Sequence, residues 1–242
     1  QPMFVCLWTY NPHYPFEAPS ELIGKYRGKE GKGLRNPIYG AQIEATDRAV
    51  GRVLDEVDRL GIAGQTVVVF TSDNGGWSGA TDNHPLRSGK GDLFEGGIRV
   101  PLIIRWPGVA RPGTINSTPV VSMDLTATVL DAAGINLADG ERLDGITLKP
   151  MLVGRDVKPR SLFFHYPHFA WHKSNRPGAA VRDGNHKLIL RFDDNSIELY
   201  DLAVDIGESR NLAKKRPQVA RKLRESLEAW LARTGARRPT RR

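Results

Sequence analysis

Residues 66–76 read TVVVFTSDNGG. Thr66 to Phe70 form a β-branched and aromatic run, too short for a helix and well suited to a pleated surface. The run does not alternate with polar residues, which predicts a strand buried on both faces, the pattern of a parallel sheet. Asp73, Asn74, Gly75 and Gly76 then end it. In open α/β sheets, ligands sit in the loops beyond the carboxyl ends of strands. Adjacent Asp73 and Asn74 offer hard oxygen donors of the kind that suit Ca²⁺ or Mg²⁺. The same four residues are also good turn chemistry, and taken alone they favour the turn over the metal site.

Working outward, residues 37–60 predict a helix, with Ile43, Val50, Val53, Leu54, Val57 and Leu60 on one stripe and Gly61 as its stop. Residues 98–106 predict a strand closed by Pro107-Gly108. Residues 123–133 predict a helix with Met123, Thr126, Ala127 and Leu130 inward. Residues 3–10 form an apolar and aromatic run that predicts a buried strand, ended by Asn11-Pro12-His13-Tyr14-Pro15, with a short helix at 18–26. Alternating strands and helices indicate an α/β layer around a mostly parallel sheet with flanking helices.

The pattern changes near residue 155. Short strands at 161–166, 179–182, 187–191 and 198–202 are separated by turn signals such as Asp183-Gly184-Asn185. They predict a small C-terminal antiparallel sheet. A last helix at 217–231 has Val219, Leu223, Leu227, Trp230 and Leu231 on one face, which could cover it. The expected division is therefore an α/β domain at 1–154 and an antiparallel-sheet subdomain at 155–242.

The chain has 242 residues, 40% hydrophobic and 26% charged, enough for a sizeable core. No apolar run approaches the ~18 residues of a membrane span, so no membrane partner is indicated. The start at Gln1, with no initiating Met and no basic leader, reads as a cut end. The net charge of +8 is uneven: residues 214–242 carry eleven basic and two acidic side chains, leaving the rest at −1. These charges sit on a last helix and an Arg-rich end, which reads as a solvated helix face and tail, and nucleic acid is not indicated. The single cysteine, Cys6, excludes an intrachain disulfide and a cysteine-rich zinc site, and its apolar run predicts a buried inert thiol.

Three further groups carry candidate chemistry. Lys90 lies between Gly89 and Gly91 in NHPLRSGKG, a flexible cation without P-loop spacing. His13 follows a predicted strand between prolines. His165 and His168, with His172 beyond, form a late cluster at a strand end.

Taken together, His13, Asp73, Asn74 and Lys90, in this order and setting, resemble the sulfatase family of the alkaline-phosphatase superfamily. The likeness runs through TSDNGG, PLRSGKG and FEGGIRVPLIIRWPG, and continues into Glu198-Leu199-Tyr200-Asp201-Leu202. It implies that Asp73 and Asn74 supply part of a divalent-metal shell, usually Ca²⁺. It implies that Lys90 and His13 contact the sulfate or assist the leaving group. It places His165 and His168 at the mouth that selects a sulfated small-molecule or carbohydrate substrate, with surface aromatics as the alternative. Periplasmic or secreted proteins are the family habit. Glu95 and Arg99 of the same motif read as a scaffold ion pair.

The family's nucleophile is a formylglycine made in a Cys-x-Pro/Ala-x-Arg motif. Cys6 is followed by Leu7-Trp8-Thr9-Tyr10, which lacks that pattern. The formylglycine is expected in an upstream segment, and the isolated chain is expected to be inactive. A phosphoesterase or phosphonate hydrolase of the same superfamily, and a non-catalytic anion-binding module, are the alternatives.

Overall fold

Asn36 starts the longest helix. Its side-chain oxygen accepts from the amides of Ile38 (2.9 Å) and Tyr39 (3.4 Å), and Pro37 occupies the first turn, where its missing N–H costs nothing. The computed structural model describes residues 2–31, 33–139, 141–169 and 175–239. The chain divides into two compact units, Gln1–Thr66 with Gly76–Asn83, and Val67–Gly75 with His84–Arg242.

In the first unit, α1 (Ser20–Tyr26) lies against α2 (Pro37–Arg59). Glu44 draws them together, accepting from Lys25 Nζ (2.6 Å), Tyr26 Oη (2.8 Å) and Arg48 (2.8 Å). Close approach requires Gly40, where a Cβ would meet the Tyr26 ring at 2.9 Å. The buried face of α2 is thus Gly40, Ala41 and Gln42. Ile43, Val53 and Leu60, expected inward, are 46%, 42% and 52% exposed. The small and polar face won because α1 offers Glu44 a lysine and a tyrosine. Residues 3–10 form no strand and are exposed, and Cys6 is exposed with them. An apolar run becomes a strand only beside a ladder partner, and none pairs with it among the described residues.

In the second unit, β1 (Val68–Thr71) pairs with β2 (Leu102–Arg105). The pairing is antiparallel, Val68 opposite Arg105 and Thr71 opposite Leu102, not parallel as the β-branched run predicts. The connection passes through α3 (Glu95–Ile98) and returns at the end where β1 stopped, so the chain runs back along it. In α4 (Met123–Ala132), Asp124, Ala127 and Thr128 are buried, whereas Met123 and Thr126 are exposed. Asp124 turns inward because its carboxylate accepts from the amides of Val121 and Ile146, both at 2.9 Å, and from Arg160. Helix α5 (Lys149–Leu152) follows.

Strands β3 (Ser161–Tyr166), β4 (Gly178–Asp183), β5 (His186–Arg191) and β6 (Ile197–Asp201) form an antiparallel sheet in chain order. Helix α6 (Pro217–Arg233) covers one face through Leu223, Leu227 and Leu231, against Val181, Leu188, Leu190 and Leu199. Leu93 and Phe94 pack on the other face, against Ala180, Ile189 and Tyr200. The class is α/β with a C-terminal antiparallel sheet covered by a helix, as the sequence indicates. No helix among the described residues is long and apolar enough to cross a membrane.

Candidate active site

Asp73 and Asn74 sit just beyond β1, Asp73 exposed and Asn74 half-buried. Ser72 Oγ donates to the Asn74 carbonyl at 3.0 Å and shapes the turn. The Gly75 amide then donates to the Gly97 carbonyl at 2.9 Å, docking this loop on α3. A Cβ at Gly75 would overlap the Gly96 carbonyl, so only glycine permits the approach.

The Lys90 loop docks on the same short helix. The Gly96 amide donates to the Arg87 carbonyl at 2.9 Å. A Cβ at Gly96 would overlap the carbonyls of Arg87 and Ser88, and one at Gly97 those of Asp92 and Gly89. Ser88 adopts a left-handed φ of 63° there. Lys90 itself is half-buried, and its ammonium has no ion pair or hydrogen bond among the described residues. The structure therefore brings the Asp73-Asn74 loop and the Lys90 loop together on the Glu95-Gly96-Gly97 turn.

His13 belongs to the other unit. Its Nδ1 lies 2.7 Å from the Tyr14 carbonyl, its backbone carbonyl accepts from Gln42 Nε2 at 3.3 Å, and its ring is exposed. His165 points to the α6 side of the sheet, edge-on to Phe192 at 5.7 Å. Burial lowers its pKa, opposed by a hydrogen bond to the Arg237 backbone. His168 follows β3 and meets the Tyr166 ring edge-on at 5.2 Å. His172 lies outside the described residues.

Asp73 and Asn74 have the donor chemistry of a Ca²⁺ or Mg²⁺ site, a carboxylate and an amide oxygen. Ca²⁺ takes about six to eight oxygen ligands, and no group of three or more His, Cys, Asp or Glu suited to a metal occurs among the described residues. These two side chains fit part of a shell.

Sequence reasoning missed the layer beneath. On β5, Lys187 and Arg191 face the site loops from the sheet, 0% and 2% exposed. Lys187 Nζ lies 2.9 Å from Glu95 Oε1 and 2.9 Å from Glu208 Oε1, the first a directed hydrogen bond and the second an ionic contact. Arg99, the expected partner of Glu95, is farther, at 3.7 Å, and half its side chain is exposed. Arg191 reaches Asp92 at 3.5 Å and Glu198 at 2.9 Å. Arg87 donates to Tyr200 Oη (3.0 Å) and the Glu208 carbonyl (2.8 Å), with its guanidinium 3.8 Å above the Phe94 ring. The available signal was two cations four residues apart in an otherwise apolar strand, which puts both on one face.

The Sulfatase family model matches residues 1–135, and the model for N-sulphoglucosamine sulphohydrolase, C-terminal, matches residues 89–233. A "Sulfatase" of Formosa agariphila is 35% identical over 97% of this chain and 47% of its own length. Arylsulfatase A of Bos taurus is 32% identical over 91% of this chain and 46% of its own. The chain thus spans about half the length of the curated relatives it matches. Among solved structures, Ps i-CgsB in complex with k-i-k-neocarrahexaose superposes with a TM-score of 0.77 at 28% identity, covering 91% of this chain and 48% of that one. A protein solved with its substrate D-glucosamine-2-N,6-O-disulfate gives 0.67 at 27% identity, covering 81% of this chain and 40% of that one.

Proposed function

The chain belongs to the sulfatase family, and from that premise we propose that it is the part of a sulfuric ester hydrolase that holds the sulfate and part of the metal shell. The observation that carries this reading is Lys90, a half-buried ammonium without an ion pair among the described residues, docked on the same α3 turn as Asp73 and Asn74. A sulfate ester departs as an alkoxide, so charge grows on the bridging oxygen as the S–O bond breaks. Lys90 places a cation against the sulfuryl or bridging oxygen and stabilises that charge. His13 contacts the sulfate or delivers a proton to the leaving oxygen. Asp73 and Asn74 would hold Ca²⁺ or Mg²⁺, which when bound neutralises sulfate charge.

Cys6 is exposed and outside the formylglycine pattern, and is not the nucleophile. The formylglycine comes from sequence beyond these residues, and the isolated chain is inactive. In this reading residues 1–154 belong to the catalytic portion and 155–242 to the C-terminal subdomain. His168, at the free end of β3, contacts the substrate; His165, packed on Phe192, supports it from the sheet. The substrate is a sulfated aryl or carbohydrate molecule, supported by the likeness to Arylsulfatase A and to the two sugar-bound structures. A periplasmic or secreted location accompanies this reading.

The test uses 4-nitrophenyl sulfate. The 242-residue chain is expected to give no turnover. A full-length protein carrying these residues is expected to turn over, and to lose about 10²–10³ in kcat on Lys90→Ala, the cost of removing one charge-stabilising donor. Preference for 4-nitrophenyl phosphate would move the protein to the phosphoesterases. Turnover by the chain alone would refute the division of the site.

A further inference from the structure

Both candidate loops rest on α3, and α3 rests on buried charge. Glu95, the first residue of α3, is 2% exposed. Its amide donates to Glu208 Oε2 at 2.6 Å, and its carboxylate accepts from Lys187 at 2.9 Å. Arg182 adds a contact to Glu95 Oε2 at 3.5 Å. Glu208 and Lys187 are each 0% exposed. We infer that the buried Glu95–Lys187–Glu208 group is a positioning device that holds the Asp73-Asn74 and Lys90 loops in register through α3. The inference rests on the sulfatase reading for its catalytic meaning, and on geometry alone for its mechanical one.

Two observations favour positioning over simple sheet cohesion. Burying three charges is unfavourable, and apolar side chains of similar size commonly hold a core as well or better. Between the charges this sheet face is built that way, with Ile189, Ala180 and Leu93. The charges occur where geometry must be directed, since an ion pair fixes direction and an apolar contact does not. Second, Glu208 is a buried non-glycine residue at a left-handed φ of 51°. Such a conformation persists only where its surroundings over-determine it, and it concentrates at functional sites. Here the Glu208 amide donates to Asp205 (3.1 Å), its carbonyl accepts from Arg87 (2.8 Å), and its carboxylate meets Lys187 and the Glu95 amide. Arg87 and Ser88 belong to the Lys90 loop, so the strained residue is bonded directly to that loop. Along the same face, Arg191 and Asp92 pin the far side of the loop.

The test is residue-resolved amide exchange on the full chain, comparing Lys187→Met with Leu227→Ala. Leu227 is on α6 and packs on the opposite face of the same sheet. Positioning requires that in Lys187→Met the amides of Gly75 and Gly96 exchange at least about ten-fold faster relative to those of β3 and β4, by selective local opening. In Leu227→Ala, loop and sheet amides are expected to shift together. Proportional shifts in both variants overturn the inference. Should Lys187→Met fail to fold, Glu208→Gln keeps an oxygen for the Glu95 amide while removing a charge. The same selective opening is then expected with smaller amplitude, and its absence overturns the proposal.

Titration with inorganic sulfate separates the two readings. Sulfate binding about ten-fold weaker in Lys187→Met and unchanged in Leu227→Ala supports both. Selective loop opening in a chain that binds no sulfate sinks the functional reading and leaves the positioning role standing. Unaltered sulfate binding and an unaltered loop in Lys187→Met do the reverse.

Discussion

The β3–β6 sheet and the β1–β2 pair make opposite use of similar residues. Leu188, Ile189 and Leu190 of β5 are all 0% exposed, because α6 covers one face and the Leu93-Phe94 segment the other. Phe70 and Ile103, directly opposite each other on β1 and β2, are 40% and 62% exposed. A two-stranded ribbon is marginal in water by itself, whereas a wider sheet with covered faces is not. The candidate catalytic loops leave the weakly covered ribbon, yet they are tied through α3 to the well-covered sheet: the Gly75 amide bonds Gly97 of α3, Glu95 of α3 bonds Lys187 of β5, and Arg87 bonds Tyr200 of β6 and Glu208 beyond it. Precision at the site is therefore borrowed from the sheet, and lesions in the two regions should differ in size and kind.

The largest contrast is expected from Leu227→Ala. Removing a fully buried leucine forfeits transfer free energy and leaves a cavity, a loss of about 2–5 kcal/mol. Urea unfolding at pH 7.5 should show it as a lower midpoint with unchanged slope. A loss below about 1 kcal/mol, the range of a surface change, would mean that α6 does not seal the sheet.

The same contrast explains what the sequence discloses. The four strands of the sheet fall within about one residue of their expected limits, because alternation and the Asp183-Gly184-Asn185 turn are local signals. The core stripe of α6 is equally local. The ribbon's antiparallel sense is not local, since it depends on where the chain re-enters after a thirty-residue connection, including α3, between Thr71 and Leu102. Burial of Lys187 is also non-local: its counter-ion, Glu95, is 92 positions away. Asp124 defeats the apolar-stripe rule on α4 because amides of residues 121 and 146 and the Arg160 side chain need its oxygens. Asp73, Asn74 and Lys90 stand out in the sequence because glycines surround them. The residues that anchor their loops read as ordinary strand charges.

A second, smaller contrast concerns pH. His165 lies on the covered sheet, and burial there lowers its pKa from the ordinary 6.5, against the pull of the Arg237 backbone and with the repulsion of His168 and Arg238. The folded state therefore binds this proton less readily than the unfolded chain. Its contribution to stability is complete above about pH 6.5, where both states are neutral, and is lost as pH falls through the folded value. His165→Phe should flatten this acid-side loss between pH 7 and 5, read from melting temperatures across that range. Melting curves of wild type and variant that fall in parallel would show that His165 is not protected in the fold.

The smallest expected effect belongs to the ribbon. Phe70 and Ile103 form one cross-strand pair, and such pairs contribute about 0.2–1 kcal/mol. Replacing both with threonine leaves a strand-favouring residue at each position and removes much of the exposed apolar area. The Phe70→Thr, Ile103→Thr double variant should thus lose no more than about 1 kcal/mol in urea unfolding. It should bind less of a hydrophobic dye, and self-associate less in sedimentation, because an apolar pair on a ribbon edge is a site for unwanted contacts. A loss as large as that of Leu227→Ala would show that the ribbon is already a closed core. Unchanged stability with unchanged dye binding would place the sticky surface elsewhere, with the exposed Met3, Phe4, Leu7 and Trp8 as the next residues to replace.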